Sequence, residues 1–430
     1  MRLVPALTLA SAVSAIVIPQ ALDEFNHLKN DIKHTLEELP SRIAGTVDEA
    51  VEHLSSEISN AVHKKLEDPE VHGHPTEAPI DLLGLDLSDL TIWEILEKSN
   101  QTKEFFKLVG KHDKFGKLLN STETNYTLFA PIDEAFEHIP HDHKPSDEFV
   151  ESVLNYHLGV GEYPAGRILF THTLPTALNE PWLGGNPQRL RTSVGFNGVR
   201  VNLYSKVVVV NIKAKNGWIH AVNRILVPPP MIGRVISLFP AQFSTLLLAY
   251  DKTDFVKFVH NVKMNGSTVF APSNSAWERL GPKANAFLFN TETGKKYLTA
   301  LLKYQIVPNT TVYSDEIYYG DEETKGEQPK INGNFHIELP TLLEKSLGVD
   351  IHTWKSWTSI VVNGNVAVDF EDGIGKNGVI HVVRTVPLPP CRKRGPRVTL
   401  GGIDVEELKE RLQPYVEGEE ESEEWDEEEL

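Results

Sequence analysis

Apolar residues in the first part of the chain recur in steps of three or four: Leu22, Phe25, Leu28, Ile32, Leu36, Leu39, Ile43, Val47, Val51, Leu54, Ile58, Val62 and Leu66. A mean step of about 3.7 is helical, and it is sustained over about a dozen turns. The narrow stripe with polar flanks predicts an amphipathic helical segment over residues 19–66, interrupted at Pro40 and restarting with Ser41 as N-cap. Further on, Ile92, Ile95, Leu96, Phe105, Phe106, Leu108 and Val109 again carry helical spacing. Residues 127–136 then predict a strand and a turn, and residues 149–157 a helix. Strand patterns follow: 199–203 alternates, and 206–212 and 218–227 are β-branched runs, with Asn197-Gly198 as a tight turn. From Met231 the same succession returns. Helical spacing runs through Phe258, a strand covers 268–277 and a helix 297–306, and paired strands follow with Asn332-Gly333 and Asn363-Gly364 as turns. Helices first and strands second predict an α+β fold rather than alternating α/β.

The succession returns because the sequence repeats. Thr127-Leu-Phe-Ala-Pro-Ile-Asp-Glu-Ala-Phe136 recurs as Thr268-Val-Phe-Ala-Pro-Ser-Asn-Ser-Ala-Trp277, and Asn216-Gly-Trp-Ile-His220 as Asn377-Gly-Val-Ile-His381. Each copy of the second passage runs on to a Pro-Pro pair. Solenoid repeats have periods of about 20–50 residues, and these offsets are far longer. They mark a duplicated globular unit, over residues 89–229 and 231–390. Pro228-Pro-Pro230 is a short, stiff join that favours a fixed orientation of the two. Within each unit, Phe129 and Phe270 are expected to point into the core, and Pro131 and Pro272 to end their strands. Asp133 and Ser273/Asn274 are expected to cap the helix that follows. His220 and His381 lie in apolar strands and read as buried, hydrogen-bonded histidines.

The ends read differently. Arg2 precedes an apolar run to Ile18 with Val13-Ser14-Ala15 suited to cleavage, so residues 1–18 are expected to be a signal peptide. Residues 67–88, rich in Pro, His and Glu, read as a linker. Residues 391–430 read as a basic hinge and an acidic tail: 405–412 predicts one short helix and 417–429 no fixed structure. The Lys393-Arg394 pair in this hinge is a candidate processing site. The net charge is −18, of which the tail carries 14 acidic and 6 basic residues, a balance that argues against nucleic acid as a partner. Five Asn-X-Ser/Thr sequons, at Asn100, Asn120, Asn125, Asn265 and Asn309, are candidate glycosylation sites and fit a secretory route. Cys391 is the only cysteine, so both units must stand on core burial without disulfides.

Catalytic chemistry finds little support. The pairs His72/His74 and His141/His143, with His138 nearby, lie in Pro-rich stretches without a firm third ligand, so no metal site is expected. Nucleophile elbow, zinc-protease, Walker and dinucleotide motifs are absent, and neither a cofactor nor enzymatic activity is expected.

The repeated passages resemble the two sequence hallmarks of the fasciclin domain family, and Leu154-Asn-Tyr-His157 between them is similar to its Tyr-His motif. The second copy departs: Asn274 stands where the first hallmark has Asp, and Lys303-Tyr304-Gln305 replaces the Tyr-His step. The resemblance implies two tandem compact β-wedge domains with flanking helices, no catalysis, and adhesion or protein and polysaccharide contacts. In animal members the Tyr-His region is implicated in integrin binding, which makes Tyr156 and His157 the adhesion candidates. No Arg-Gly-Asp occurs, and the arrangement looks most like fungal secretory or vacuolar members. The expectation is a secreted or cell-surface glycoprotein, with the vacuole as the alternative compartment, whose residues 20–66 oligomerise or dock the chain. The alternative is a lumenal or vacuolar protein held on a membrane by that same segment.

Overall fold

A computed structural model of the chain describes residues 87–138, 145–195, 198–315, 332–354, 357–390 and 402–427. The expected signal peptide, amphipathic segment, His72/His74, His141/His143, Cys391 and Lys393-Arg394 lie outside the described residues.

The first domain opens with three short helices, α1 (Ile92–Lys98), α2 (Lys103–Val109) and α3 (Asp113–Asn120). Thr91 starts α1 with a capping box: its hydroxyl accepts from Glu94 N, and Glu94 returns a carboxylate to Thr91 N at 2.7 Å. Strand β1 (Tyr126–Pro131) follows, then a 3-10 turn over Asp133–His138 and helix α4 (Asp147–His157). The remainder is β2 (Leu158–Val160), a four-residue helix α5 (Ala165–Ile168), β3 (Thr173–Asn179), β4 (Pro187–Gly195), β5 (Gly198–Val201), β6 (Ser205–Ala214) and β7 (Gly217–Val222). These seven strands close into a barrel in chain order, with β1 parallel to β7 and Phe129 opposite His220.

Strand β1 is central because both its faces are buried. Leu128 and Ala130 meet Ile92, Ile95, Phe105 and Phe115 from the helices, whereas Phe129 joins Tyr156, Leu174, Leu190 and Val222 on the other side. Alternation along one strand therefore divides the core in two, and burying each large side chain contributes about 1.5–3 kcal/mol.

The second domain has α6 (Ile232–Ser237), α7 (Pro240–Lys252), α8 (Phe255–Asn261), β8 (Ser267–Pro272), α9 (Asn274–Leu280), α10 (Pro282–Asn290), α11 (Glu292–Tyr304) and β9 (Ile306–Pro308). Strands β10 (Asn332–Pro340), β11 (Ser346–Trp354), β12 (Trp357–Val362), β13 (Val366–Gly375) and β14 (Gly378–Val383) complete one sheet in the order β10-β11-β12-β13-β14-β8-β9. Phe270 again faces a histidine, His381, across the parallel β8–β14 pair. The duplicated plan and both buried phenylalanines are as the sequence reading expects, and Pro131 and Pro272 are the last residues of their strands.

Several local expectations change. Asn332-Gly333 is no turn but the start of β10, paired to Trp354 and Thr353 of β11. Strands β3 and β4 fall where no strand pattern was read. Asp133 does not cap the turn after it; its Oδ1 accepts from Glu104 N at 2.8 Å, in the first turn of α2. In the second copy Ser273 does cap α9, through Ala276 N at 3.3 Å, but Asn274 serves the helix behind. Its Oδ1 accepts from Thr245 N and its Nδ2 donates to Ala241 O, both at 3.0 Å, bridging one turn of α7. An aspartate only accepts; this position needs a donor as well, which accounts for asparagine here.

The tail also departs from expectation. Helix α12 runs from Val405 to Glu427, through Pro414 and the acidic run. Leu408, Leu412 and Val416, spaced one turn apart, are buried where α12 packs on α10 and α11. Lys409 Nζ lies 5.1 Å from the Phe287 ring centre, and Ile403 N donates to Leu280 O at 3.0 Å. Docking of one apolar stripe supplies the stability that the charged sequence lacks alone.

Candidate interaction surface between and around the domains

The repeated motifs hold the scaffold together. Asn216 is fully buried: its Oδ1 accepts from Ile92 N at 2.9 Å, and its Nδ2 donates to Leu119 O and Ser121 O. One side chain thus ties the start of α1 and the end of α3 to the sheet. Gly217, at φ +144°, passes so close to β1 that a Cβ there would lie 1.8 Å from Tyr126 O. Gly378 repeats this against Ser267 O at 2.0 Å, which gives the Asn-Gly pair its physical reason.

The histidines are structural. His220 is fully buried, its Nε2 donates to Tyr163 O at 2.8 Å and its Nδ1 accepts from Asn211 N at 3.3 Å. Burial lowers its pKa to about 4. His381 makes the same bonds to Val312 O and Asp372 N. Tyr156 and His157 are also fully buried. Tyr156 Oη donates to Arg189 O at 3.0 Å; His157 Nδ1 donates to Val153 O at 2.8 Å and its Nε2 accepts from Leu226 N at 2.9 Å. Burial lowers the His157 pKa to about 4. The two adhesion candidates thus lie inside the domain, with their side-chain polar atoms bonded within it. In the second domain Tyr304 keeps the tyrosine's role, with Oη on Ser346 O at 3.2 Å.

The sequence reading missed the contact between the two domains. Asp315 of the second domain accepts from three donors of the first: His172 N at 2.9 Å, Thr173 N at 2.7 Å and Thr173 Oγ1 at 2.7 Å. Arg191 Nε donates to Glu371 O at 3.1 Å, and its guanidinium lies 4.4 Å from the Phe370 ring centre. Arg189 lies equally close over Tyr313, and Gln188 Nε2 donates to Gly375 O at 3.2 Å. These residues sit more than a hundred positions apart, and only the fold brings them together.

Behind Asp315, Ser314 Oγ donates to the fully buried Asp372, whose Oδ1 accepts from Ser314 N at 2.9 Å. Burial raises the Asp372 pKa, opposed by His381 and reinforced by Asp315. Ser314 Oγ also lies 2.9 Å from His172 Nδ1. Serine, histidine and aspartate are neighbours, but in the wrong order for nucleophilic catalysis. The Asp372 carboxyl bonds the serine rather than the histidine, so the three do not form a Ser-His-Asp relay. Among the described residues, no cluster of three or more His, Cys, Asp or Glu could hold a metal. The cleft lined by Ile95, Leu96, Thr102, Ala130, Ile132 and Ile219 has a volume of about 20 Å³, enough for a water rather than a ligand.

The five sequon asparagines, Asn100, Asn120, Asn125, Asn265 and Asn309, are all exposed. Exposed apolar side chains include Leu169, Phe170, Trp182, Val210 and Trp357. Among the described residues, no helix is long and apolar enough to cross a membrane.

Comparison with known proteins agrees with this architecture. The fasciclin domain profile matches residues 100–228 and 241–389. The chain belongs to the fasciclin domain family. It is 28% identical over 323 residues to the aurofusarin biosynthesis cluster protein S of Gibberella zeae, covering 71% of this chain and 79% of that protein. It is 26% identical to human periostin over 63% of this chain and 29% of periostin, and 26% identical to rat stabilin-2 over 45% and 14%. The chain thus spans most of the fungal relative and under a third of these animal proteins. A solved FAS1 domain pair from the insect cell adhesion molecule fasciclin I matches 66% of this chain and 96% of its own, with 18% identity and a TM-score of 0.34.

Proposed function

We propose that the chain is a non-enzymatic glycoprotein of the secretory pathway, secreted or held at the cell surface, whose two fasciclin domains act as one rigid adhesive module toward protein or polysaccharide. The observation that carries this reading is the domain contact. Its polar residues are spent on orienting one domain against the other, which fixes how the outer surfaces are presented. The exposure of all five sequon asparagines supports passage through a glycosylating compartment.

The test is to purify the tagged protein from its native host, compare intact mass before and after glycan removal, and measure retention on cell-wall polysaccharide and extracellular protein fractions. Glycosylated protein retained by one of these fractions is the expected result. An unglycosylated protein found only in the cytosol would refute it. Sedimentation with membranes that is lost on deletion of residues 20–66 would replace it with the membrane-attached reading.

A further inference from the structure

The turn between β3 and β4 leaves one large side chain in solvent beside another that is buried. Glu180 Oε1 accepts from Trp182 N at 3.3 Å, Pro181 starts a 3-10 turn over Pro181–Leu183, and Gly184 at φ +69° closes it. Leu183, 4% exposed, packs toward the second domain: its Cδ2 lies 3.7 Å from the place a Cβ on Gly266 would take. Gly266 N also donates to Trp182 O at 2.7 Å, so this turn is a further part of the domain contact. Trp182 itself stays 50% exposed. The contact uses its backbone and does not account for its ring.

Next to this turn is a sequon of the other domain. Asn265 immediately precedes Gly266, and a Cβ on Gly184 would lie 3.6 Å from Asn265 Cβ and 4.0 Å from its Cγ. The Asn265 side chain thus lies over the bare backbone of Gly184, and a Cβ on Gly185 would meet no atom within 4 Å. Three other sequons spend part of their amide on the fold. The Oδ1 atoms of Asn120 and Asn309 accept from Thr91 Oγ1 and Asn265 N, both at 2.9 Å, and Asn125 Nδ2 donates to Glu162. Among the described residues, no hydrogen bond engages the Asn265 side-chain amide, so a sugar on its Nδ2 breaks none.

We propose that an N-linked glycan on Asn265 lays its first sugars across the Gly184-Gly185 backbone and against the indole of Trp182, so that a modification of domain 2 clasps domain 1. A pyranose presents C–H bonds on its faces. These stack on the electron-rich face of an aromatic ring while the hydroxyl groups stay in water. Gly184 and Gly185 supply a floor on which side chains would stand in the way. Attachment at Asn265 holds sugar beside this ring at a far higher effective concentration than any dissolved saccharide reaches, which selects the chain's own glycan as the occupant. This rests on the secretory-glycoprotein reading above and gives one glycan a task, holding the orientation of the two domains.

The full chain from a glycosylating eukaryotic host is compared with Asn265→Gln by glycopeptide mass spectrometry and hydroxyl-radical footprinting of each tryptophan. Asn265 should be occupied, and Trp182 should oxidise several-fold more slowly in the parent than in Asn265→Gln. Trp357, 64% exposed, should oxidise alike in both. Trp182→Ala and Asn265→Gln should each lower the midpoint of thermal unfolding by about 2–4 °C, and the double variant no further than either alone. In chain made without glycans, Trp182→Ala should leave the midpoint where it was. A Trp182 that oxidises equally with and without the Asn265 glycan, or losses that add in the double variant, would overturn the clasp. So would a bare Asn265: with other sequons occupied the secretory reading still stands, whereas a chain carrying no glycan at all sinks both.

Discussion

Acid should unfold the first domain through two histidines. His157 and His220 are both buried and neutral, and each uses one ring nitrogen as an acceptor, from Leu226 N and Asn211 N. Protonation would place N–H against N–H at both points. Burial lowers each pKa from 6.5 to about 4. A folded value below the unfolded one means that this stability is complete above pH 6.5 and is lost as pH falls through 4. The full difference is about 3 kcal/mol per histidine, of which about 2 kcal/mol is lost already at pH 5. Two histidines together remove about 4 kcal/mol, a large part of the roughly 5–15 kcal/mol that holds a domain. Urea unfolding at pH 7 and pH 5, followed by the fluorescence of Trp93 and Trp218, reads this directly. A His157→Gln, His220→Gln variant keeps a donor and an acceptor at each site but does not titrate. It should start less stable at pH 7 and lose little on acidification. A parent whose unfolding midpoint does not move between these pH values, or a variant with the parent's pH slope, refutes the reasoning.

Gly217→Ala should cost more than 3 kcal/mol, because a Cβ meets Tyr126 O at 1.8 Å, whereas Gly198→Ala, with no atom within 4 Å, should cost only about 1 kcal/mol at its positive φ; thermal melts of the two compare them. Asp315→Ala strands three donors of domain 1 and should remove about 3 kcal/mol of domain coupling, splitting one calorimetric transition into two. Asp372→Asn removes a carboxyl whose pKa is raised in the folded state. The parent's contribution there is present below pH 3.8 and lost as pH rises through the folded value, so the variant's stability relative to the parent should increase with pH in urea titrations. Leu412→Ala should cost about 2–4 kcal/mol locally and expose residues 402–427 to protease while the rest of the chain resists.

Much of this was legible before any coordinates. The duplication, the α+β order and the burial of Phe129, Phe270, His220 and His381 follow from local pattern, since a strand buried on both faces must be apolar throughout. The burial of Tyr156 and His157 was not legible, because a tyrosine and a histidine beside a helix end look the same in sequence whether they face solvent or a neighbouring strand. Strands β3 and β4 escaped notice because Arg189, Arg191 and Gln188 are polar. Their outward face is covered by the other domain rather than by water, so the usual alternation of apolar and polar positions is masked.

The sequence alone determined two copies of one fold, the strands at their centres and the absence of disulfide support, because these depend on neighbours a few residues apart. The tertiary structure alone decided that Asp133 and Asn274 serve helices behind them, that the Leu408–Val416 stretch of the C-terminal helix docks on the second domain, and that Asp315 grips His172 and Thr173. Each of those joins residues about 30 to 140 positions apart, or more, and a hydrogen bond across such a distance leaves no periodic trace in the chain that makes it.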